Sequence, residues 1–204
     1  MRRFLTVLGL VGVISIVLSL VVSFQTGVRE VHWEGSTNED MLAVARVDIT
    51  NALETHAKVL KVHIVSPGGP IFTSLEIARL VREAYDHHGL IVEIHAHTLC
   101  ASGCTLVLAA GTPGHRYIDR LTLFLVHSVQ SQGLDGKTKC MMFVQNPTNQ
   151  AEKALDVLLI IMRDTYLKYT HIDKDALNQM LTCGNEQIGR GEFAVGLGFA
   201  DKVE

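Results

Sequence analysis

The chain has 204 residues, 48% of them hydrophobic, which is enough for one domain with a sizeable core. Eighteen Lys and Arg against 21 Asp and Glu leave a formal net charge of −3. That balance, without a basic cluster, argues against binding nucleic acid through phosphate contacts.

Met1-Arg2-Arg3 precedes Phe4 to Phe24, a run of 21 residues without a charge. At ~1.5 Å per residue, such a helix crosses a hydrocarbon core of ~30 Å. Arg2 and Arg3 keep the N-terminus cytoplasmic, so the remainder is expected outside the cytoplasm. A signal peptide cut near Val21-Val22-Ser23 is the alternative and gives the same compartment, although its apolar core is usually shorter. The chain thus divides into residues 1–27, a membrane anchor or signal sequence, and residues 28–204, a single domain.

Val28 to Trp33 alternates as a strand does, and Ser36-Thr37-Asn38-Glu39 has the pattern of a capping box opening a helix that ends near Thr55. Leu60 to Val65 reads as a second strand and runs into Ser66-Pro67-Gly68-Gly69-Pro70. Two adjacent glycines permit a tight turn whose backbone N–H groups point into a site. Thr73 to Asp86 is an amphipathic helix closed by His87-His88-Gly89. Leu90 to about His95 is a third strand. His95 and His97 share one of its faces; further ligands for a metal cannot be placed around them.

Leu99-Cys100-Ala101-Ser102-Gly103-Cys104 leads from this strand into an apolar helix ending at Ala110. A small-residue turn at that junction exposes a side chain beside free helix N–H groups, which makes Ser102 a candidate nucleophile. Its bland alternative is a helix cap. Gly111-Thr112-Pro113-Gly114 turns the chain, Arg116 to Ile118 and Leu121 to Val126 are short strands, and His127 ends the second. A serine needs an adjacent base and an oxyanion needs preorganised donors. Strand ends carrying a Gly-Gly turn, a serine and a histidine supply these parts.

Asn149 to Tyr169 forms a long helix with a wide apolar surface, which with Met141 to Val144 suggests a subunit contact. Asp173 to Leu181 and Glu192 to Leu197 are further helices. Cysteines at 100, 104, 140 and 183 can form disulfides in an oxidising compartment. Cys100 and Cys104 either bridge across Ser102 or remain small buried thiols. No Cys-x-x-Cys or Cys/His quartet points to a metal, and no cofactor is expected.

Ser66-Pro67-Gly68-Gly69, Ala101-Ser102, Ala109-Ala110-Gly111-Thr112-Pro113-Gly114-His115-Arg116 and the strand ending in His127 together resemble the Clp protease proteolytic subunits and, more broadly, the ClpP/crotonase superfamily with its membrane-bound serine peptidases. The likeness spans Val28 to Val203. It implies an α/β domain with a repeated β-β-α spiral, a homo-oligomer, a peptide or protein substrate, and a projecting strand-and-helix handle after Ser128. It also implies that Ser102 attacks, His127 is the base, and the N–H groups of Gly69 and Gly103 hold the oxyanion in a turn shaped by Gly68. Counting back from Gly198 and Asp201, the family's acidic position falls at Thr182 or Cys183, neither of them a carboxylate. Glu186 is the nearby candidate, Asp173 and Asp175 are further ones, and a Ser/His dyad is the alternative. The expected function is an extracytoplasmic, membrane-anchored, ATP-independent serine peptidase. A catalytically weak binding or assembly module competes with it. A thioester-acting crotonase enzyme fits less well, since it needs no Ser/His pair.

Overall fold

The computed structural model describes residues 27–132, 138–140 and 150–204. The expected apolar span at Phe4 to Phe24 and the Met141 to Val144 segment lie outside these residues. Among the described residues, no helix is long and apolar enough to cross a membrane.

The chain begins β1 (Val28–Glu34), α1 (Glu39–Glu54), β2 (Val59–Ser66), α2 (Ile71–His88), β3 (Ile91–Ala101), α3 (Gly103–Ala110). It continues with β4 (Arg116–Ile118), β5 (Leu123–Val126), β6 (Gln130–Gln132) and β7 (Thr138–Cys140). Then come α4 (Gln150–Tyr169), α5 (Lys174–Met180), β8 (Gln187–Gly189), α6 (Gly191–Gly196) and β9 (Lys202–Val203). The main sheet runs β1-β2-β3-β4-β9 in parallel; β5 pairs with β3 in parallel, and β8 pairs with β5 antiparallel.

The first helix differs from expectation at its start. Asn38, not Ser36, caps it, its side chain accepting from the N–H groups of Asp40 and Met41. The Ser36 hydroxyl instead donates to the Gly68 carbonyl at 3.0 Å, which ties this loop to the glycine turn. The third strand is longer than its apolar run suggests. Thr98 has φ 55°, and around it β3 changes partners: Ile94–Ala96 pair with β4, Leu99–Ala101 with β5. One helix follows each of the first three strands, so a two-strands-per-helix repeat is not the rule here. The bend in β3 instead lets one strand serve two neighbours.

Period-two alternation decides which face of β2 is covered. Leu60, Val62 and Ile64 are fully buried, beneath a helical layer that includes α1 and α2. All eight residues of α3 are buried, between α2 and α4. Leu106, Val107 and Leu108 each contribute about 1.5–3 kcal/mol from burial.

On the opposite face, His32, His63 and His95 lie side by side across β1, β2 and β3. His63 bonds Glu30 through Nε2 at 2.6 Å and His97 through Nδ1 at 2.8 Å, while His97 Nδ1 donates to Asp119 at 2.9 Å. His95 Nδ1 donates to Glu204 at 2.9 Å. Among the described residues no group of three or more His, Cys, Asp or Glu side chains could hold a metal ion. At the far edge, buried Arg116 binds the Asp201 carboxylate and donates to the carbonyls of Tyr169 at 2.7 Å and Gly198 at 3.1 Å.

Candidate active site

The carboxyl ends of β2, β3 and β5 meet at one cavity of about 370 Å3, whose wall includes Gly68, Gly69, Ser102, Gly103 and His127. Ligand sites of open α/β sheets form at such strand ends. The structure therefore brings together five of the six residues singled out from the sequence.

Ser102 sits between β3 and α3 with φ 53° and ψ −123°, and its side chain makes no capping hydrogen bond. The hydroxyl is thus not spent on the helix. A non-glycine residue in this region carries strain of about 1–3 kcal/mol and persists only where its surroundings hold it. Here the Ser102 N–H donates to Leu125 O at 2.9 Å. Its carbonyl accepts from Thr105 N at 3.0 Å and from the Thr105 hydroxyl at 2.6 Å. That hydroxyl is also bonded, at 2.7 Å, to the buried Tyr166 hydroxyl. A disulfide joins Cys100 to Cys104 across the turn, with Cα atoms 5.2 Å apart.

Gly68 and Gly103 are glycines for reasons of space. Gly68 has φ +89°, and a Cβ there would lie 2.5 Å from Ala101 O and 2.6 Å from Gly103 N. A Cβ on Gly103 would overlap the Ser74 hydroxyl. Ser74 is buried and shares a 2.7 Å hydrogen bond with Thr37, which firms the packing beneath both turns. The Gly68 N–H is committed to Ser66 Oγ at 3.0 Å. Those of Gly69 and Gly103 meet no acceptor among the described residues, so two donors remain free at the cavity wall.

His127 follows β5 directly. Its Nδ1–H donates to the Ser128 carbonyl, which leaves Nε2 of the neutral ring as the proton acceptor. Glu186 stands apart from the cavity wall, exposed and not bonded to His127. The β5–β8 ladder ends beside it: Val126 pairs with Gln187 antiparallel, and His127 and Glu186 are the next residues along the two chains, beyond the paired stretch. Thr182 is exposed, and Cys183 is bridged to Cys140.

Sequence reasoning missed Tyr166 and Met162, which come to the wall from α4. Their i, i+4 spacing marks one face of that helix and was the available signal. Burial pushes the Tyr166 hydroxyl well above its ordinary range, keeping it a neutral hydrogen-bonding partner for Thr105.

The Clp protease family model matches residues 28–203. The chain belongs to the Clp protease family. A search of curated proteins finds no match to it. Membership makes this Clp protease family chain a peptidase of the serine type, in a family whose members act on peptides and form oligomers.

Proposed function

We propose that this Clp protease family member is an endopeptidase that works outside the cytoplasm, anchored by its N-terminal segment and independent of ATP. One observation carries the reading: an uncommitted Ser102 hydroxyl on a strained elbow lines the same cavity as a histidine whose Nδ1–H is already held. In this reading Ser102 Oγ attacks the scissile carbonyl while His127 Nε2 takes its proton. The N–H groups of Gly69 and Gly103 receive the oxyanion. The protonated histidine then gives its proton to the leaving amine, and water, activated by the same ring, releases the acyl group. Hydrolysis is downhill, so the chemistry asks for no nucleotide.

Glu186 is the carboxylate assigned to the imidazolium, because it and His127 each adjoin the Val126–Gln187 pair that ends the β5–β8 ladder. Because it is exposed, water screens it. The Ser128 carbonyl takes over the orienting task that a buried acid performs in a full triad. Two disulfides among four cysteines support the extracytoplasmic assignment.

A fluorophosphonate should label the protein, and Ser102→Ala and His127→Ala should each abolish labelling and peptide cleavage. Glu186→Gln should lower kcat only about tenfold, against the ~10⁴-fold loss on neutralising a buried triad acid. An unlabelled parent protein would favour the binding or assembly module, a reading that rests on the exposure of Glu186.

A further inference from the structure

We propose that the Cys100–Cys104 disulfide is a positioning device for the nucleophile, holding Ser102 in its left-handed elbow so that the hydroxyl stays aimed at the catalytic cavity. The proposal rests on the serine peptidase reading of that cavity.

The bridge is centred on Ser102. Cys100 is the next-to-last residue of β3 and Cys104 the second residue of α3, so the covalent ring encloses Ala101, Ser102 and Gly103 and little else. A disulfide closing so short a loop restricts the unfolded chain less than one closing a long loop does. The second bridge in this protein, Cys140–Cys183, has a sequence separation of 43 and is the better placed of the two to act as a global staple. What the short bridge constrains is the turn itself.

The turn has a reason to need constraint. Ser102 adopts φ 53° and ψ −123° without being a glycine, and such a conformation relaxes unless its surroundings over-determine it. Its remaining restraints are a hydrogen bond to Leu125 O, two bonds to its own carbonyl from Thr105, and the close packing of Gly68. All of these are non-covalent and act through the backbone of Ser102 or its neighbours, so each can give way in a fluctuation. The covalent link cannot. Both cysteines are fully buried, so the link sits inside the packing of β3 against α3, where it fixes the distance between the strand end and the first helical turn. Without it the elbow can fall back to an ordinary φ, which carries Oγ away from the His127 ring and from the Gly69 and Gly103 donors.

The test measures phosphonylation of Ser102 by excess fluorophosphonate in the full-length protein, giving a maximal rate and a half-saturation concentration, alongside a thermal melt. In Cys100→Ala/Cys104→Ala the maximal rate should fall at least tenfold, with half-saturation within twofold of the parent and a folded baseline at the assay temperature. A general loss of structure would instead weaken half-saturation and melting together. A second arm needs no substitution. Dithiothreitol reduces the bridge, each thiolate attack passing through a mixed disulfide, to give two cysteine thiols and the cyclic oxidised reagent. In Cys140→Ala/Cys183→Ala, where the short bridge alone remains, labelling should slow on reduction and recover on reoxidation. Parent-like maximal rates in the folded double alanine variant, or labelling unchanged by verified reduction, would overturn the proposal. A parent protein that never labels would remove the peptidase reading itself, a result distinct from either of these.

Discussion

Gly68 shows how little freedom the elbow has. Its φ of +89° and the 2.5 Å approach a Cβ would make to Ala101 O act together, so Gly68→Ala must distort the β2 turn, the Ser102 turn, or both. Backbone strain and overpacking together should cost about 1–3 kcal/mol, and Ser102 labelling should fall at least tenfold while the melting midpoint drops. A variant with parental labelling and melting would show that the two turns are not in rigid contact. Residues such as Gly68, Ser102 and His127 were legible in the sequence because each is a local feature: a Gly-Gly turn, a small-residue turn and a strand-terminal ring. The Ser128 carbonyl that orients His127 was not, because a backbone acceptor leaves no mark on residue identity. Glu186 was reached from the resemblance, as one of several carboxylates near Thr182 and Cys183; the end of the β5–β8 ladder that lies beside it is not announced by a three-residue strand.

At the scale of elements, His63 on the sheet face opposite the helices makes stability pH-dependent. Burial pushes the His63 pKa below the ordinary value of 6.5; the Glu30 hydrogen bond works against this, and neighbouring His97 and His95 add to the depression. A histidine with a depressed folded pKa contributes stability that is complete above its unfolded value and is lost as pH falls through the folded one. Asp201 follows the same sign lower on the scale. Burial raises its pKa, but the Arg116 hydrogen bonds and charge outweigh that and leave it below 3.8, so its contribution is present above about pH 4 and disappears in stronger acid. The melting midpoint should therefore decline from pH 7.5 to 5, and His63→Gln should flatten that decline. A parental slope in His63→Gln would put the dependence elsewhere. Among the elements, β1 to β4 and the first three helices could be read from alternation and capping signals, although the cap itself moved from Ser36 to Asn38. β8 and β9 span three and two residues, too short for any period to register, and exist because tertiary neighbours offer them a ladder.

For the whole molecule, α4 divides its apolar residues between two jobs. Leu159, Met162 and Tyr166 are buried, whereas Val157, Ile160 and Ile161 remain 41–54% exposed. The sequence showed the width of the apolar surface but not the division, because periodicity alone does not say how much of a helix one domain can cover. We expect the exposed set to meet another subunit in the oligomer. Ile161→Glu should shift light scattering toward a smaller species with little change in the melting of the subunit, since the side chain is already in water. An unchanged particle mass would move the contact away from this helix.

The Cys140–Cys183 bridge has a mechanical consequence. Cys140 is the last residue of β7, and Cys183 lies three residues before Glu186. With their Cα atoms held 5.7 Å apart, the antiparallel pair of β6 and β7 and the segment entering β8 are coupled like two ends of a short rod. The bridge therefore makes one mechanical unit of the strand pair that begins at the cavity-lining Gln130 and the segment that carries Glu186, so a displacement of either is felt by the other.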